Sequence, residues 1–335
     1  MKAVVARWYG PPEVLALEDL PVPRPGAGQI QVRVRAAAIN PADLRSLSGV
    51  LSELAPLTFP HVPGSDFAGT VTEIGGGVTR FAAGDEVFGV GLPRATAAMA
   101  EMFSTPPSLT TGAMAQYAVF DADTPALARR PAALPADRAS SLPIPGLTAL
   151  ALLRTGRFEA GERVLVTGAA GGVGSSVVPL LAAAGAHVIA TALAQDDEYV
   201  RELGASDVID YGSADTVAET VRRHPGGVDA VINLALGGAD LVELSPAIRQ
   251  GGRLLNVAFP SPEPSAFDRA DLTVQTVYGS ARAGDLDELA AQAVAGKLPN
   301  AISRRYPLQE AVRAYADLVH SHVRGKLVVA VTPAD

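Results

Sequence analysis

The seven residues Gly168-Ala169-Ala170-Gly171-Gly172-Val173-Gly174 carry almost no side chain, so any chemistry they do is done by backbone. Small residues let a backbone approach an anionic group closely. A helix N-terminus just beyond them adds unpaired N–H donors and the positive end of the helix dipole. Against a G-x-G-x-x-G template the marked places fall on Ala169, Gly171 and Gly174, so the first glycine is an alanine. The apolar run Val164-Leu165-Val166 before the turn reads as a buried strand, and Val173–Ala184 reads as a helix. His187–Thr191 supplies a second strand and completes a βαβ unit. Strand, glycine turn and helix form the arrangement that holds a dinucleotide pyrophosphate. A turn that only packs a helix tightly on a strand fits the same residues. The second strand and the alternation after it favour the nucleotide.

The elements that must position this turn fall into two regions. Residues 1–128 are rich in Pro and Gly and contain short alternating runs at Lys2–Arg7, Gln29–Ala36, Gly69–Ile74, Glu86–Val90 and Met114–Phe120. Turns such as Pro25-Gly26 and Gly75-Gly76-Gly77 punctuate them, which predicts an irregular, mostly antiparallel β domain. Residues 129–271 change pattern. Strand candidates at Val164–Thr167, Val188–Thr191, Asp207–Ile209, Ala230–Asn233 and Leu254–Ala258 alternate with helical stretches at Val173–Ala184, Asp196–Leu203, Asp215–Arg223 and Gly238–Ile248. That alternation predicts an α/β fold with a doubly wound parallel sheet. Residues 272–335 contain two amphipathic helices, Leu286–Ala295 and Leu308–Val319, and end in the strand Gly325–Val331. The final strand is expected to return to the first domain, making that domain 1–128 plus 272–335.

Composition narrows the classes. Apolar residues make up 48% of the 335 and charged residues 19%, which suits a globular protein with a large core. The net charge of −8 argues against a nucleic-acid footprint. With no cysteine, disulfides, thiolate metal sites and a cysteine nucleophile are excluded. The N-terminus has no apolar h-region and no window approaches a membrane span, so a cytoplasmic protein without membrane contact is the expectation.

Five ordered segments carry a resemblance. Tyr9–Leu15 with Pro25–Gln29, Ala37-Ala38-Ile39-Asn40-Pro41-Ala42-Asp43, Phe59–Gly69, Pro145–Ala149 and the turn at Gly168–Gly174 together resemble the medium-chain dehydrogenase/reductase superfamily. Within it they are most similar to the zinc-independent quinone oxidoreductase and enoyl reductase branch. The resemblance covers essentially the whole chain. It implies a GroES-like catalytic domain beside a Rossmann domain, NAD(P)H bound in the cleft between them, and a homodimer.

The resemblance also implies site residues. Zinc-dependent relatives carry ligands at places that here read Asn40–Asp43 and Ser65-Asp66, so no metal is expected. The five histidines, His61, His187, His224, His320 and His322, read as structural or surface residues. Without a metal, hydride transfer suits quinones and α,β-unsaturated carbonyls, whose developing charge spreads by conjugation. Asn40 is the branch's polar residue near nicotinamide and substrate; capping a turn before Pro41 is the plainer role. Some relatives place a tyrosine five residues later, where this chain has Arg45, either facing an anionic substrate or facing solvent. Thr148 resembles a family threonine near the carboxamide, or it starts a helix. The second strand runs into Thr191-Ala192-Leu193 with no acid at the place that selects NAD, which permits NADPH and makes NADH the less favoured coenzyme. Tyr211 resembles a tyrosine near the adenosine phosphate. Asn233, Leu234, Val257 and Phe259 lie at strand ends expected to flank the nicotinamide ribose. The segment Leu92–Thr111, with Met99, Met102 and Phe103, is longer than in close relatives and reads as a substrate entrance or lid, or as surface chain. A tailoring reductase of one bulky intermediate and a non-catalytic, crystallin-like NADPH-binding protein are the alternatives to a quinone or enone reductase.

Overall fold

The computed structural model describes residues 1–53, 55–91 and 112–332. The expected insert Leu92–Thr111 lies outside the described residues.

Two compact units divide the chain: Met1–Leu147 with Ser280–Gly296 and Asn300–Asp335, and Thr148–Gly279 with Lys297–Pro299. The first unit contains β1 (Lys2–Val5), β2 (Ala16–Asp19), β3 (Gln29–Ala38), β4 (Asp66–Ile74), β5 (Glu86–Val90), β6 (Tyr117–Asp121) and β7 (Leu127–Arg129). The second contains β8 (Arg163–Thr167), β9 (His187–Ala192), β10 (Asp207–Asp210), β11 (Val228–Asn233), β12 (Ile248–Asn256) and β13 (Thr273–Thr276). The first unit is completed by β14 (Ile302–Pro307) and β15 (Lys326–Ala330).

In the first unit β1 pairs with β2, and a larger sheet runs β14-β15-β3-β4-β5-β7, with β6 also on β3. Pairing is antiparallel except for β14 on β15, so the mostly antiparallel expectation holds. The terminal strand returns as the spacing predicts: β15 inserts between β14 and β3, with Val329 opposite Ala37. Ile30, Val32 and Val34 of β3 are fully buried, while Arg33 and Arg35 alternate to the more open face.

In the second unit all six strands are parallel, in the order β10-β9-β8-β11-β12-β13. Val164, Leu165 and Val166 are wholly buried because helices cover both faces of such a sheet. The strand order reverses between β8 and β11, and a crevice for a ligand opens at the carboxyl ends of the strands at such a switch.

The domain limits differ from those expected. The first division falls after Leu147, not 128, because β7 and the helix Ala136–Ser140 belong to the first unit. The second falls after Gly279, not 271, because β13 joins the parallel sheet beside β12. The stretch Thr273-Val274-Gln275-Thr276 has no apolar run to announce a strand. The helix expected over Gly238–Ile248 ends at Glu243 and gives way to a tighter turn at Ser245–Ala247, since Pro246 cannot continue an α-helix.

Candidate functional site

In the second unit the glycine turn sits where the sequence places it. β8 ends at Thr167, and the following helix runs Gly174–Ala183 with no side chain capping its N-terminus. The Ser175 and Ser176 N–H groups already donate to the Gly171 and Val173 carbonyls, so what this end offers an anion is chiefly the positive end of the helix dipole. Gly168 turns the chain at φ +68°, a left-handed conformation that favours glycine. A Cβ on Gly174 would come 2.2 Å from the Ala169 carbonyl oxygen, so this glycine is required for the helix to start so close to the turn. A Cβ on Gly171 would meet only the Gly168 oxygen, at 3.3 Å. The space beside Gly171 is thus left open by the protein itself, as a cradle for a phosphate requires.

A polar ladder ties the carboxyl ends of the strands behind this turn. Pairing sets Thr167 opposite Asn233 and Asn233 opposite Asn256. The Thr167 hydroxyl donates to Asn233 Oδ1 at 2.7 Å, and Asn233 Nδ2 donates to Asn256 Oδ1 at 2.7 Å and to the Leu236 carbonyl at 2.7 Å. Asn233 Oδ1 also accepts from the Leu236 N–H. The Asn233 side chain is thus spent inside the protein, where it fixes the loop that carries Leu234. Val257 follows with its N–H on the Asn233 carbonyl, and Phe259 is 41% exposed. Thr167 and Asn256 were not singled out in the sequence; a polar residue closing each apolar strand is the signal that would have found them.

Thr191 is buried near the end of β9, and Tyr211 is half exposed with its N–H on the Ala192 carbonyl. Burial, and then the charges of Asp196 and Asp210, push the Tyr211 hydroxyl pKa up. Asp196 itself is buried. Thr148 does not start a helix: it lies inside the helix Pro143–Gly156 and packs on Gly279, where a Cβ would come 2.6 Å from its Oγ1.

In the first unit Asn40 caps the helix Pro41–Ser48. The Asn40 N–H donates to Asp43 Oδ2 at 2.9 Å, half of a capping box, and Pro41 occupies the first turn, where its missing N–H costs nothing. The helix ends at Gly49, φ +82°. The Asn40 carboxamide is engaged at both ends. Its Nδ2 donates to Asp66 Oδ2 at 2.9 Å, and its Oδ1 accepts from Lys326 Nζ at 2.6 Å. Lys326, 3% exposed, also donates to the Ile39 carbonyl at 2.9 Å and lies 3.5 Å from Asp66 Oδ2. The other Asp66 oxygen accepts the Ile144 N–H at 2.9 Å, and the Ser65 hydroxyl donates to Asp43 Oδ1 at 2.8 Å. Nothing in the sequence around Lys326 announces this contact; only the pairing of β15 with β3 brings it to Asn40.

Burial pushes the Asp66 carboxyl up and the Lys326 ammonium down, and the opposite charge of each pulls the other back. Burial pushes Asp43 up to about 6, against the hydrogen bonds from Asn40 and Ser65. Arg45 lies two residues after Asp43 on the same helix. Among the described residues its guanidinium makes no hydrogen bond or ion pair. His61 is buried and exchanges backbone hydrogen bonds with Ala6, the structural role expected of it. His187 and His224, expected as separate surface residues, instead converge on Asp207 in the second unit.

Comparison with known proteins agrees with both units. Residues 26–131 match the alcohol dehydrogenase GroES-like domain, and residues 203–329 match a family described as zinc-binding dehydrogenase. A chloroplast envelope quinone oxidoreductase homolog of Arabidopsis thaliana is 30% identical over 330 residues, spanning 93% of this chain and 92% of its own. The quinone oxidoreductase of Coxiella burnetii superposes with a TM-score of 0.85 at 29% identity over 99% of each chain. The Escherichia coli quinone oxidoreductase, solved with NADPH, shares the fold at a TM-score of 0.86, with 24% identity over 99% of this chain and 100% of its own.

The donor set around Asn40 does not fit the zinc that one of these descriptions implies. The chain has no cysteine, and the Asn40 and Asp66 oxygens that face inward already hold an ammonium. A dication would have to displace that buried positive charge. The chain is an oxidoreductase of the zinc-independent quinone oxidoreductase branch of the medium-chain dehydrogenase/reductase superfamily, built from a GroES-like and a Rossmann-like domain.

Proposed function

We propose that this protein is an NADPH-dependent reductase of quinones or activated C=C bonds in α,β-unsaturated carbonyls, working without a metal. The observation that carries the reading is the space left open beside Gly171 in the turn Gly168–Gly174, ahead of a helix and at the switch point of a parallel sheet. Bound reduced nicotinamide supplies a hydride. The chain's own residues bind, orient and balance charge. The backbone from Gly168 to Gly174 holds the pyrophosphate, and Thr191 and Tyr211 border the adenosine side. Leu234, Val257 and Phe259 offer backbone and apolar surface at the strand ends, held rigid by the Thr167–Asn233–Asn256 ladder. In the first unit, Asn40 acts as a positioning residue that fixes the start of the Arg45 helix through Lys326 and Asp66. The uncommitted Arg45 guanidinium is the group suited to a carbonyl oxygen that gains negative charge, or to an anionic substrate. Homodimerisation is part of the proposal; the exposed edge strand β13 offers unpaired backbone for it.

One observation favours a second reading of the coenzyme. The carboxylates of Asp196 and Asp210 act on Tyr211, and they would repel a 2′-phosphate placed beside it. NADPH and NADH are therefore compared directly, by their oxidation rates with a panel of quinones and enones. Turnover with NADPH, at a kcat/KM above that with NADH, is expected. Saturable binding of both coenzymes with no turnover on any acceptor would overturn the enzymatic reading and leave a binding protein.

A further inference from the structure

His187 is the first residue of β9, Asp207 is the first of β10, and His224 follows the helix Thr216–Arg223. The parallel register puts Asp207 opposite Ile189, two residues on from His187, so both side chains leave the same face. His187 Nε2 lies 2.7 Å from Asp207 Oδ2, and His224 Nε2 lies 3.4 Å from that same oxygen. The two rings stand 5.6 Å apart at 70°. The three ligand atoms all lie within 4.8 Å of one another. Among the described residues no other set of His, Asp and Glu gathers so closely.

His224 Nε2 is buried and has no hydrogen-bond partner, an unexplained loose end in an otherwise satisfied corner. The neighbouring cations are engaged elsewhere: Arg163 and Arg249 with Asp229, Arg201 with Asp197, and Arg223 with Glu219. Asp207 is left facing two imidazoles. Tetrahedral zinc bonds of about 2.0–2.1 Å to nitrogen and oxygen put ligand atoms roughly 3.3 Å apart; the His224–Asp207 spacing of 3.4 Å matches that, and the His187–Asp207 pair at 2.7 Å would open slightly to admit the ion. Two imidazoles and one carboxylate suit Zn²⁺ or its neighbours in the transition series and do not suit Mg²⁺ or Ca²⁺, which take oxygen donors.

We propose that His187, Asp207 and His224 form a binding site for one divalent transition-metal ion, zinc foremost, at the amino ends of the strands and away from the glycine turn. Three protein ligands leave a fourth position for water. The ion would tie β9, β10 and the segment after the helix Thr216–Arg223 to one another. The proposal is independent of the coenzyme and of any turnover.

The test uses the untagged, chelator-stripped full-length protein without coenzyme. Calorimetric titration with ZnCl2 is expected to give one equivalent of saturable binding and a raised Tm, and MgCl2 neither. CoCl2 is expected to give the visible absorption of tetrahedral cobalt. His224→Ala should weaken zinc at least about tenfold, and His187→Ala/His224→Ala should abolish the cobalt spectrum. His224→Gln, which preserves bulk, repeats the measurement should the alanine variants prove unstable. Absence of saturable zinc binding would overturn the proposal. So would unchanged binding in the double variant, which would move the ion to other residues.

Discussion

Asn40 and Asn233 are both buried asparagines that use both ends of the carboxamide, yet their surroundings differ. Asn233 stands in a neutral ladder between Thr167 and Asn256. Asn40 stands between a carboxylate and an ammonium, with a second carboxylate on its own N–H. A neutral network contributes hydrogen bonds whose value does not depend on pH. A charged one holds only while each ion keeps its partner, because an unpaired buried charge costs several kcal/mol. The neutral ladder supports the turn proposed to hold the pyrophosphate, where a buried negative charge would work against binding. The charged cluster lies in the other unit and can tolerate ions, provided they nearly cancel.

Three experiments sharpen or break that contrast. Lys326→Met should have the largest effect, a loss of about 3–5 kcal/mol in denaturant unfolding, because Asp66 is left buried without its cation. The Lys326→Met/Asp66→Asn pair should recover much of it; a single-variant loss below about 1 kcal/mol would mean the ion pair is not what holds β15 to Asn40.

Asp43 should give the cluster a pH dependence. Its folded-state pKa of about 6 lies above the ordinary aspartate value of 3.8 expected of the unfolded chain. Between those values the native state binds the extra proton, so the Asp43 contribution is fully present below about pH 4 and is lost as pH rises through 6. Relative to Asp43→Asn, the wild-type unfolding free energy should fall by up to about 3 kcal/mol from pH 4 to 7. A difference that stays flat over that range would place the proton elsewhere.

Asn233→Ala should cost about 2 kcal/mol, since it leaves the Thr167 hydroxyl and the Leu236 N–H and carbonyl without their partner. That loss should be the same at pH 5 and pH 8. A pH-dependent loss would mean that the ladder communicates with a titrating group and is not the neutral counterpart it resembles.

The two clusters were also unequally legible. The glycine turn, the strands around it and the return of the last strand are local patterns, and the structure places them within a residue or two of expectation. Asn233 and Asn256 close apolar strands, so parallel pairing brings them together almost automatically. Asn40 and Lys326 are 286 residues apart, and a lysine after Gly325 reads as an ordinary strand start. His187, Asp207 and His224 were read singly for the same reason: a sequence shows spacing along the chain and not the faces that packing unites. For Thr148 the plainer alternative, a helix start, fails because the helix already begins at Pro143, two prolines ahead of any local start signal.

The insertion of β15 between β14 and β3 sets the order in which the molecule can be assembled. On the ribosome, the second unit emerges almost as one continuous length, Thr148–Gly279, and can close on itself. The first unit emerges earlier but has to wait, with the end of β3 unpaired at the edge of its larger sheet and Asp66 lacking its counter-ion, until Lys326 and the rest of β15 leave the exit tunnel. Synthesis that runs N-to-C thus yields a protein whose opening half is finished last.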